Sequence, residues 1–320
     1  MPLRPTSSTS GATSGWRKNA PGRSPPRLQP KPSRRPALDP PPRRVHDFRV
    51  TSQAGPLQDQ VAVVTGASRG IGRQIVIDFA KAGAHVVVTA RSSENAPSKL
   101  PGTIEQTARE VEALGRRALA IPVDVTKEDD IQQMAERTLK EFGRCDILVN
   151  NAAISAPAPF HETPLKRWDL VMNVNLRGPV MCMHAFLPSM IERKSGRIIN
   201  ISSILAEEVI SPMVSYSVSK VALEKLTEYA GQELKQHSIP VNCLRIEMSI
   251  ATEGWMYRNP GMDFSDWEKP EAASEATLWI VAQPVSWTGN VVTIADARRA
   301  LGKMAEAKAG VEELRQLRPQ

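Results

Sequence analysis

The chain has 320 residues, 41% of them hydrophobic, which is enough for one large core, and a net charge of +7. That charge sits at one end: residues 1–50 hold eleven Lys/Arg against two Asp/Glu, a net of +9, leaving −2 for the other 270. A nearly neutral body argues against a binder of nucleic acid or acidic substrates, and no apolar run approaches the ~18 residues of a membrane span.

Residues 1–55 are predicted to be a disordered tail. Eleven of the 26 prolines fall in its first fifty positions, among Ser, Thr and Arg, so little apolar surface is available to offset the entropy of ordering. The tail has no apolar stretch of the secretory-signal kind. It is Arg-rich and acid-poor like an organelle transit peptide, but its prolines oppose the amphipathic helix such peptides form. A translation start near Val50 would leave the expected fold whole. Cys145, Cys182 and Cys243 stand far apart with no CxxC or Cys/His pairing, as reduced thiols of a cytoplasmic protein do, and the five histidines lack metal-ligand spacing, so no metal is expected.

From Leu57 the pattern becomes short apolar runs alternating with helical periods. The runs are Val61–Thr65, His85–Thr89, Ala118–Val123, Asp146–Val149, Arg197–Ile201, Val241–Ile246 and Val291–Ile294. Ile131–Phe142 and Val218–Leu234 are among the helical segments between them. Seven strands alternating with helices predict an α/β fold: one Rossmann-type, doubly wound parallel sheet over residues 56–296, helices on both faces. Residues 297–320 then read as a helical C-terminal tail, weakened by Gly302 and Gly310.

The first strand runs into Thr65-Gly66-Ala67-Ser68-Arg69-Gly70-Ile71-Gly72 and then a helical period. Glycines there permit a tight turn and let backbone N–H groups approach a pyrophosphate at the helix N-terminus. A glycine-rich turn alone could be ordinary, but the G-x-x-x-G-x-G spacing after Thr resembles the short-chain dehydrogenase/reductase family. About 20 residues on, an NAD site places a carboxylate on the ribose 2′-hydroxyl. The second strand instead ends Ala90-Arg91-Ser92, with Arg69 as a further cation, which suits the 2′-phosphate of NADP(H) better than NAD(H). The resemblance further implies an adenine contact at Asp124 and Val125. It also implies a ribose and nicotinamide seat at Asn151 and Ala152, in Asn150-Asn151-Ala152-Ala153.

Of three tyrosines, Tyr216 alone has a lysine four residues later, Lys220; Tyr229 and Tyr257 are followed there by Glu233 and Gly261. On a helix these positions share a face, so the ammonium is expected to lower a phenol pKa of about 10 toward neutrality. Such a pair could be a mere surface contact. Ser203, thirteen residues before Tyr216 and just past the strand Arg197–Ile201, and Asn175, in Met172-Asn-Val-Asn175, change the balance. Both match the family's pattern in order and offset. The resemblance implies Tyr216 as proton donor, Ser203 polarising the substrate oxygen, Lys220 also binding the nicotinamide ribose, and Asn175 holding a relay water.

The family usually continues after its sixth strand with Pro-Gly and then a threonine at the nicotinamide carboxamide. Here Ile246 and Glu247 stand at the Pro-Gly places and Thr252 falls one residue late. Leu100-Pro-Gly-Thr-Ile104 and Met172-Asn-Val-Asn175 resemble, more loosely, a hydroxysteroid-dehydrogenase-like subgroup. Trp255, Met256, Tyr257, Phe264 and Trp267 cluster where the family carries a substrate lid. Ile154, Leu205 and Met213 are expected pocket walls. An NADP(H)-dependent oxidoreductase acting on an apolar carbonyl or alcohol follows, with a homodimer or homotetramer implied by resemblance. The competing reading is a catalytically weak nucleotide-binding protein that keeps the fold for regulation or assembly.

Overall fold

The computed structural model describes residues 55–303. The expected N-terminal tail, Gly55 apart, and residues 304–320 of the expected C-terminal tail lie outside the described residues. Seven strands, β1 (Val61–Thr65), β2 (His85–Ala90), β3 (Ala118–Pro122), β4 (Ile147–Asn150), β5 (Arg197–Ser203), β6 (Val241–Ile246) and β7 (Val291–Thr293), form one sheet in the order β3-β2-β1-β4-β5-β6-β7. Every pairing is parallel. The inner strands are predominantly apolar, and β1 and β4 are buried throughout, as a sheet covered on both faces requires.

The connections are α1 (Gly70–Lys81), α2 (Ile104–Ala113), α3 (Glu128–Phe142), α4 (Leu165–Met172), α5 (Gly178–Arg193), α6 (Val214–Leu234), α7 (Glu253–Arg258), α8 (Pro270–Val281) and α9 (Ile294–Leu301). A π turn over Asn173–Arg177 joins α4 to α5. One apolar core holds Ile75, Val76 and Phe79 of α1 with Ala273 and Ile280 of α8. The other, on the opposite face, holds Ile131 and Met134 of α3 with Phe186 of α5. The chain steps outward from β1 to β3 and then returns to lay β4 on the other side of β1. The strand order therefore reverses between β1 and β4, and the crevice at their carboxyl ends is where open α/β sheets bind ligands.

Most boundaries shift from the sequence pattern by a residue or a few, and two of these shifts have a clear local reason. The apolar run of β5 stops at Ile201, but the ladder continues as Ser202 pairs with Arg245 and Ser203 with Ile246, so Ser203 is the last strand residue. The helix expected from 297 already begins at Ile294. Thr293 and Asp296 form a reciprocal capping box, and Glu247 accepts the N–H groups of Ile294 (3.0 Å) and Ala295 (2.7 Å). That helix ends at Gly302, whose φ of 71° is the left-handed C-cap conformation, and it buries Ile294 and Ala297 in the core.

Candidate active site

At the crevice, the turn after β1 is stitched to the segment after β4. Thr65 Oγ1 accepts the N–H groups of Asn151 and Ala152, both at 3.1 Å, and Asn151 Nδ2 donates to the carbonyls of Thr65 (2.8 Å) and Gly66 (3.2 Å). The approach is so close that a Cβ on Gly66 would stand 2.9 Å from Ala152 Cα, and one on Gly72 2.5 Å from Gly66 O. Gly70 then opens α1. The helix has no side-chain cap at Arg69 and no acidic residue in its first turn, so its N-terminus is open to an anion from elsewhere. The Gly70 N–H donates to Glu253 Oε2 at 2.9 Å, from the first residue of α7. Thr252 lies against Gly70 with its side-chain carbons 3.4 Å from where a Cβ would be, at the phosphate end of the cleft. Ser68 is buried, and Ile71 is half-buried against the core.

At the end of β2, Arg91 is exposed, whereas Arg69 folds into the loop that follows. Its Nη2 donates to Ser92 Oγ (2.9 Å), Ser98 Oγ (2.7 Å) and Gly102 O (3.1 Å), while its buried Nε has no partner among the described residues. Burial lowers the Arg69 pKa, opposed by the Glu253 charge and assisted by Arg91. Asp124, half-buried after β3, accepts from Thr126 N (3.0 Å) and Thr126 Oγ1 (2.8 Å). Burial pushes its carboxyl up, but those bonds and the Arg91 charge outweigh it and hold the group below the ordinary carboxylate value. Val125 beside it is buried. Arg69, Arg91, Ser92 and Asp124 thus share one electrostatic neighbourhood. Ser98 had no sequence signal, and Gly102 stood out only as part of the Leu100-Pro-Gly-Thr-Ile104 segment.

These residues fit a dinucleotide. The α1 N-terminus already takes a carboxylate, two guanidinium groups stand at the end of β2, and Ala90 puts no acid in their way.

The catalytic candidates meet where β5 ends and α6 begins. Tyr216, in the first turn of α6, lies close enough to Ser203 for that hydroxyl to act on its phenol. Lys220 is buried, donates through Nζ to Ile201 O (2.8 Å) and lies 5.5 Å from the Tyr216 ring centroid. Burial pushes its ammonium down to about 8, against the opposing pull of Cys243 and Glu224. Tyr216 differs from the sequence expectation. Burial raises its phenol above the ordinary value, and the neighbouring Ser203 hydroxyl only partly offsets this. The Lys220 ammonium is turned toward a strand carbonyl and does not outweigh that desolvation. Asn175 sits in the π turn with its side chain engaged by protein: Oδ1 accepts from Ile154 N (2.9 Å), and Nδ2 donates to Ile154 O (2.9 Å) and Ser219 Oγ (3.0 Å). Ser219 in turn donates to Tyr216 O at 2.6 Å, so Asn175 braces the Tyr216 turn against the β4 loop.

Behind Ser203 and Lys220 lies an ion-pair network that pattern reading missed. Arg245 on β6 donates through Nε and Nη2 to both Glu224 oxygens (2.9 and 2.6 Å) and through Nη1 to Glu207. Ser202 Oγ also donates to Glu224, at 2.9 Å. Glu224 is one turn beyond Lys220, and Ser202 and Glu207 flank the Ser203 segment, so the network ties β5, β6 and α6 together. The available signal was Arg245 and Glu224 themselves, each charged at an otherwise apolar position. Glu247, at the family's glycine place, serves α9 instead of the cleft.

The aromatic cluster divides. Trp267 is buried and takes edge contacts from Trp255 (5.4 Å) and Phe264 (5.0 Å), while Met256 and Tyr257 are exposed. The expected walls Ile154, Leu205 and Met213 are half-buried around the Ser203–Tyr216 end. A recess of about 620 Å³ lies elsewhere, lined by Asp78, Lys81, Lys269, Glu271 and Glu275, and no predicted site residue reaches it. Among the described residues no helix is long and apolar enough to cross a membrane, and no cluster of potential metal ligands occurs.

Comparison with known proteins gives a consistent result. The short chain dehydrogenase family profile matches residues 60–261. Human hydroxysteroid dehydrogenase-like protein 2 is 37% identical over 241 residues, 74% of this chain, but that match spans only 57% of the human protein. An uncharacterised oxidoreductase of Staphylococcus saprophyticus is 32% identical over 243 residues, covering 74% of this chain and 97% of its own. Among solved structures, a short chain dehydrogenase of Mycobacterium thermoresistibile aligns with a TM-score of 0.70 at 30% identity, covering 77% of this chain and 88% of that one. A metagenomic short-chain oxidoreductase in complex with NADP aligns with a TM-score of 0.62 at 34% identity, covering 74% of this chain and 96% of that one. The family profile, the curated relatives and the shared fold agree, and the chain belongs to the short-chain dehydrogenase/reductase family.

Proposed function

We propose that this protein is an NADP(H)-dependent oxidoreductase that interconverts an apolar ketone or aldehyde and its alcohol. The observation that carries the reading is the convergence of Ser203, Tyr216 and Lys220 where β5 ends and α6 begins. When bound, the reduced nicotinamide supplies the hydride. The chain's own part is to orient the carbonyl and to supply the proton. The Ser203 hydroxyl donates to the substrate oxygen, an electrostatic contribution that grows as negative charge develops there. The Tyr216 hydroxyl donates its proton to the same oxygen, giving the alcohol. Lys220 stabilises the phenolate left behind and reaches the nicotinamide ribose hydroxyls, and Asn175 keeps the Tyr216 turn in register with the β4 loop while proton exchange runs to solvent. In the oxidative direction the same groups accept the proton.

Arg91, with Arg69 and Ser92 behind it, reads the 2′-phosphate; Asp124 and Val125 face the adenine; Gly66, Ser68, Gly70, Ile71 and Gly72 receive the pyrophosphate; Asn151 and Ala152 back the nicotinamide half, and Thr252 closes the phosphate end. Half-buried Ile154, Leu205 and Met213, under the aromatic segment, favour an apolar substrate. The hydroxysteroid in the name of the curated relatives belongs to that class. Exposed Val214, Val218, Val221 and Tyr229 on α6, with Leu165 and Leu170 on α4, support self-association through that face.

The test is a panel of apolar ketones, aldehydes and secondary alcohols, with NADPH or NADP and with their 2′-dephospho counterparts, followed at the reduced-nicotinamide absorbance. Turnover of apolar carbonyls with NADPH is the expected result. Tight nucleotide binding with no turnover of any substrate would instead support a regulatory protein.

A further inference from the structure

The Gly70 N–H is the first amide of α1, and it is already held by a carboxylate. Glu253 Oε2 accepts it at 2.9 Å, and Thr252 packs on the same glycine. The Glu253 charge also acts on Arg69, the residue before the helix. A carboxylate at a helix N-terminus makes the same kind of interaction as a phosphate oxygen, with the helix dipole and an unpaired N–H as its partners. Glu253 begins α7, and at the far end of that helix Arg258 Nη1 donates to Ser155 Oγ at 3.3 Å, in the segment after β4. Helix α7 therefore bridges the crevice from the glycine turn to the β4 loop, with Glu253 as its anchor on the turn.

We infer that Glu253 is a built-in competitor for the cofactor's pyrophosphate: its carboxylate and a phosphate oxygen claim the same Gly70 N–H, so a dinucleotide binds only as Glu253 leaves and α7 loses that anchor. The inference rests on the reading of this crevice as a dinucleotide site. Two negative groups cannot share one amide, and a displaced carboxylate that stayed close would repel the phosphates. Cofactor affinity is thereby set below what the glycine turn alone would give, and arrival of the cofactor loosens the helix that carries Trp255, Met256 and Tyr257 over the substrate end.

The experiment measures dissociation constants of NADPH, NADH and 2′-AMP for the full-length wild type, Glu253→Gln and Glu253→Ala at fixed ionic strength, with circular dichroism to establish folding. 2′-AMP carries the adenosine and the 2′-phosphate but has no pyrophosphate. Glu253→Ala should bind both dinucleotides roughly three- to tenfold more tightly. Glu253→Gln should fall between, since its amide oxygen still accepts the N–H without the charge. 2′-AMP should stay within about twofold of wild type. Dinucleotide affinity that is unchanged or weakened in the folded variants overturns the competition, as does an equal gain for 2′-AMP. Failure of wild type and both variants to bind any dinucleotide would instead overturn the cofactor reading, and Glu253's role with it.

Discussion

The two ends of the crevice are built on different terms. At the substrate end, Ser203, Tyr216 and Lys220 are presented to the cleft by their neighbours: Ile201 O takes the lysine, Ser219 and Asn175 brace the tyrosine turn, and Glu224 and Arg245 lock the strands beneath. At the phosphate end, the groups that would hold a dinucleotide are themselves in use. Arg69 pins Ser92, Ser98 and Gly102, Asn151 closes the glycine turn, and Glu253 sits on the Gly70 amide. The substrate end is rigidly preorganised, whereas the phosphate end exchanges internal partners for external ones. Loss of a substrate-end side chain should therefore cost rate or fold, and loss of a phosphate-end side chain should shift affinity.

Tyr216→Phe gives the largest separation of the two ends. The ring and its packing remain and the proton donor is lost, so turnover of whichever carbonyl proves to be a substrate should fall by about 10²- to 10⁴-fold. The dissociation constant for NADPH should move little. Full activity in the folded variant would take the proton-donor role from Tyr216.

Glu224→Ala tests the support beneath that end. It leaves Arg245 buried with only Glu207 as counter-charge and removes the acceptor of Ser202. Breaking a buried pair from one side costs about 3–5 kcal/mol, read as a drop in the urea midpoint. Replacing both partners together, Glu224→Met with Arg245→Leu, should recover much of that loss, because the buried charges are both gone and Glu207 is solvent-exposed. A single variant as stable as wild type would show that the network contributes little.

Lys220 makes a pH prediction of definite sign. Burial places its folded pKa near 8, below the ordinary 10.5, so between these values the unfolded chain holds more protons than the folded one. Stability should then rise as pH climbs from about 8 toward 10.5, by at most about 3 kcal/mol, with the cost of the buried ammonium fully present below pH 8. The raised Tyr216 pKa acts oppositely, but only from about pH 10 upward. Lys220→Met should flatten the thermal midpoint between pH 8 and 10 relative to wild type, and an unchanged slope would contradict the desolvated lysine.

The division between the two ends also explains what the sequence made legible. Residue types that a reaction demands at fixed offsets, such as Tyr216 with Lys220 at +4 and Ser203 at −13, are visible because the spacing is set by one helix and one strand. The seven strands were visible for the same reason, since an apolar run covered on both faces has few alternatives. The hidden features depend on contacts between segments far apart in the chain. Glu253 meets Gly70 across 183 positions, Arg245 meets Glu224 across 21, and Ser203 joins β5 only because β6 continues beside it. The raised Tyr216 pKa belongs with these, because periodicity shows the lysine's proximity but not the desolvation around the phenol.

The sharpest test within the phosphate end, smaller in effect than those at the substrate end, is the contrast between its two arginines. Arg91 is exposed, so its loss removes a charge without dismantling structure. A charge-assisted contact to phosphate is worth about 1.5–3 kcal/mol, so Arg91→Ala should weaken NADPH roughly ten- to a hundredfold and leave NADH nearly unchanged. Arg69 has a second duty as the latch on Ser92, Ser98 and Gly102. Arg69→Ala should therefore weaken both cofactors, because the loop beside the glycine turn loses its anchor, and should lower the thermal midpoint, which Arg91→Ala should not. The measurements are dissociation constants for NADPH and NADH at one salt concentration, since screening acts more strongly on the exposed Arg91. If Arg91→Ala weakens both cofactors alike, Arg91 does not read the 2′-phosphate, and the preference for NADP(H) loses its main support. If Arg69→Ala discriminates between them as sharply as Arg91→Ala, Arg69 leaves the loop to meet the phosphate, and its bonds to Ser92, Ser98 and Gly102 are exchanged on binding as the Glu253 bond is.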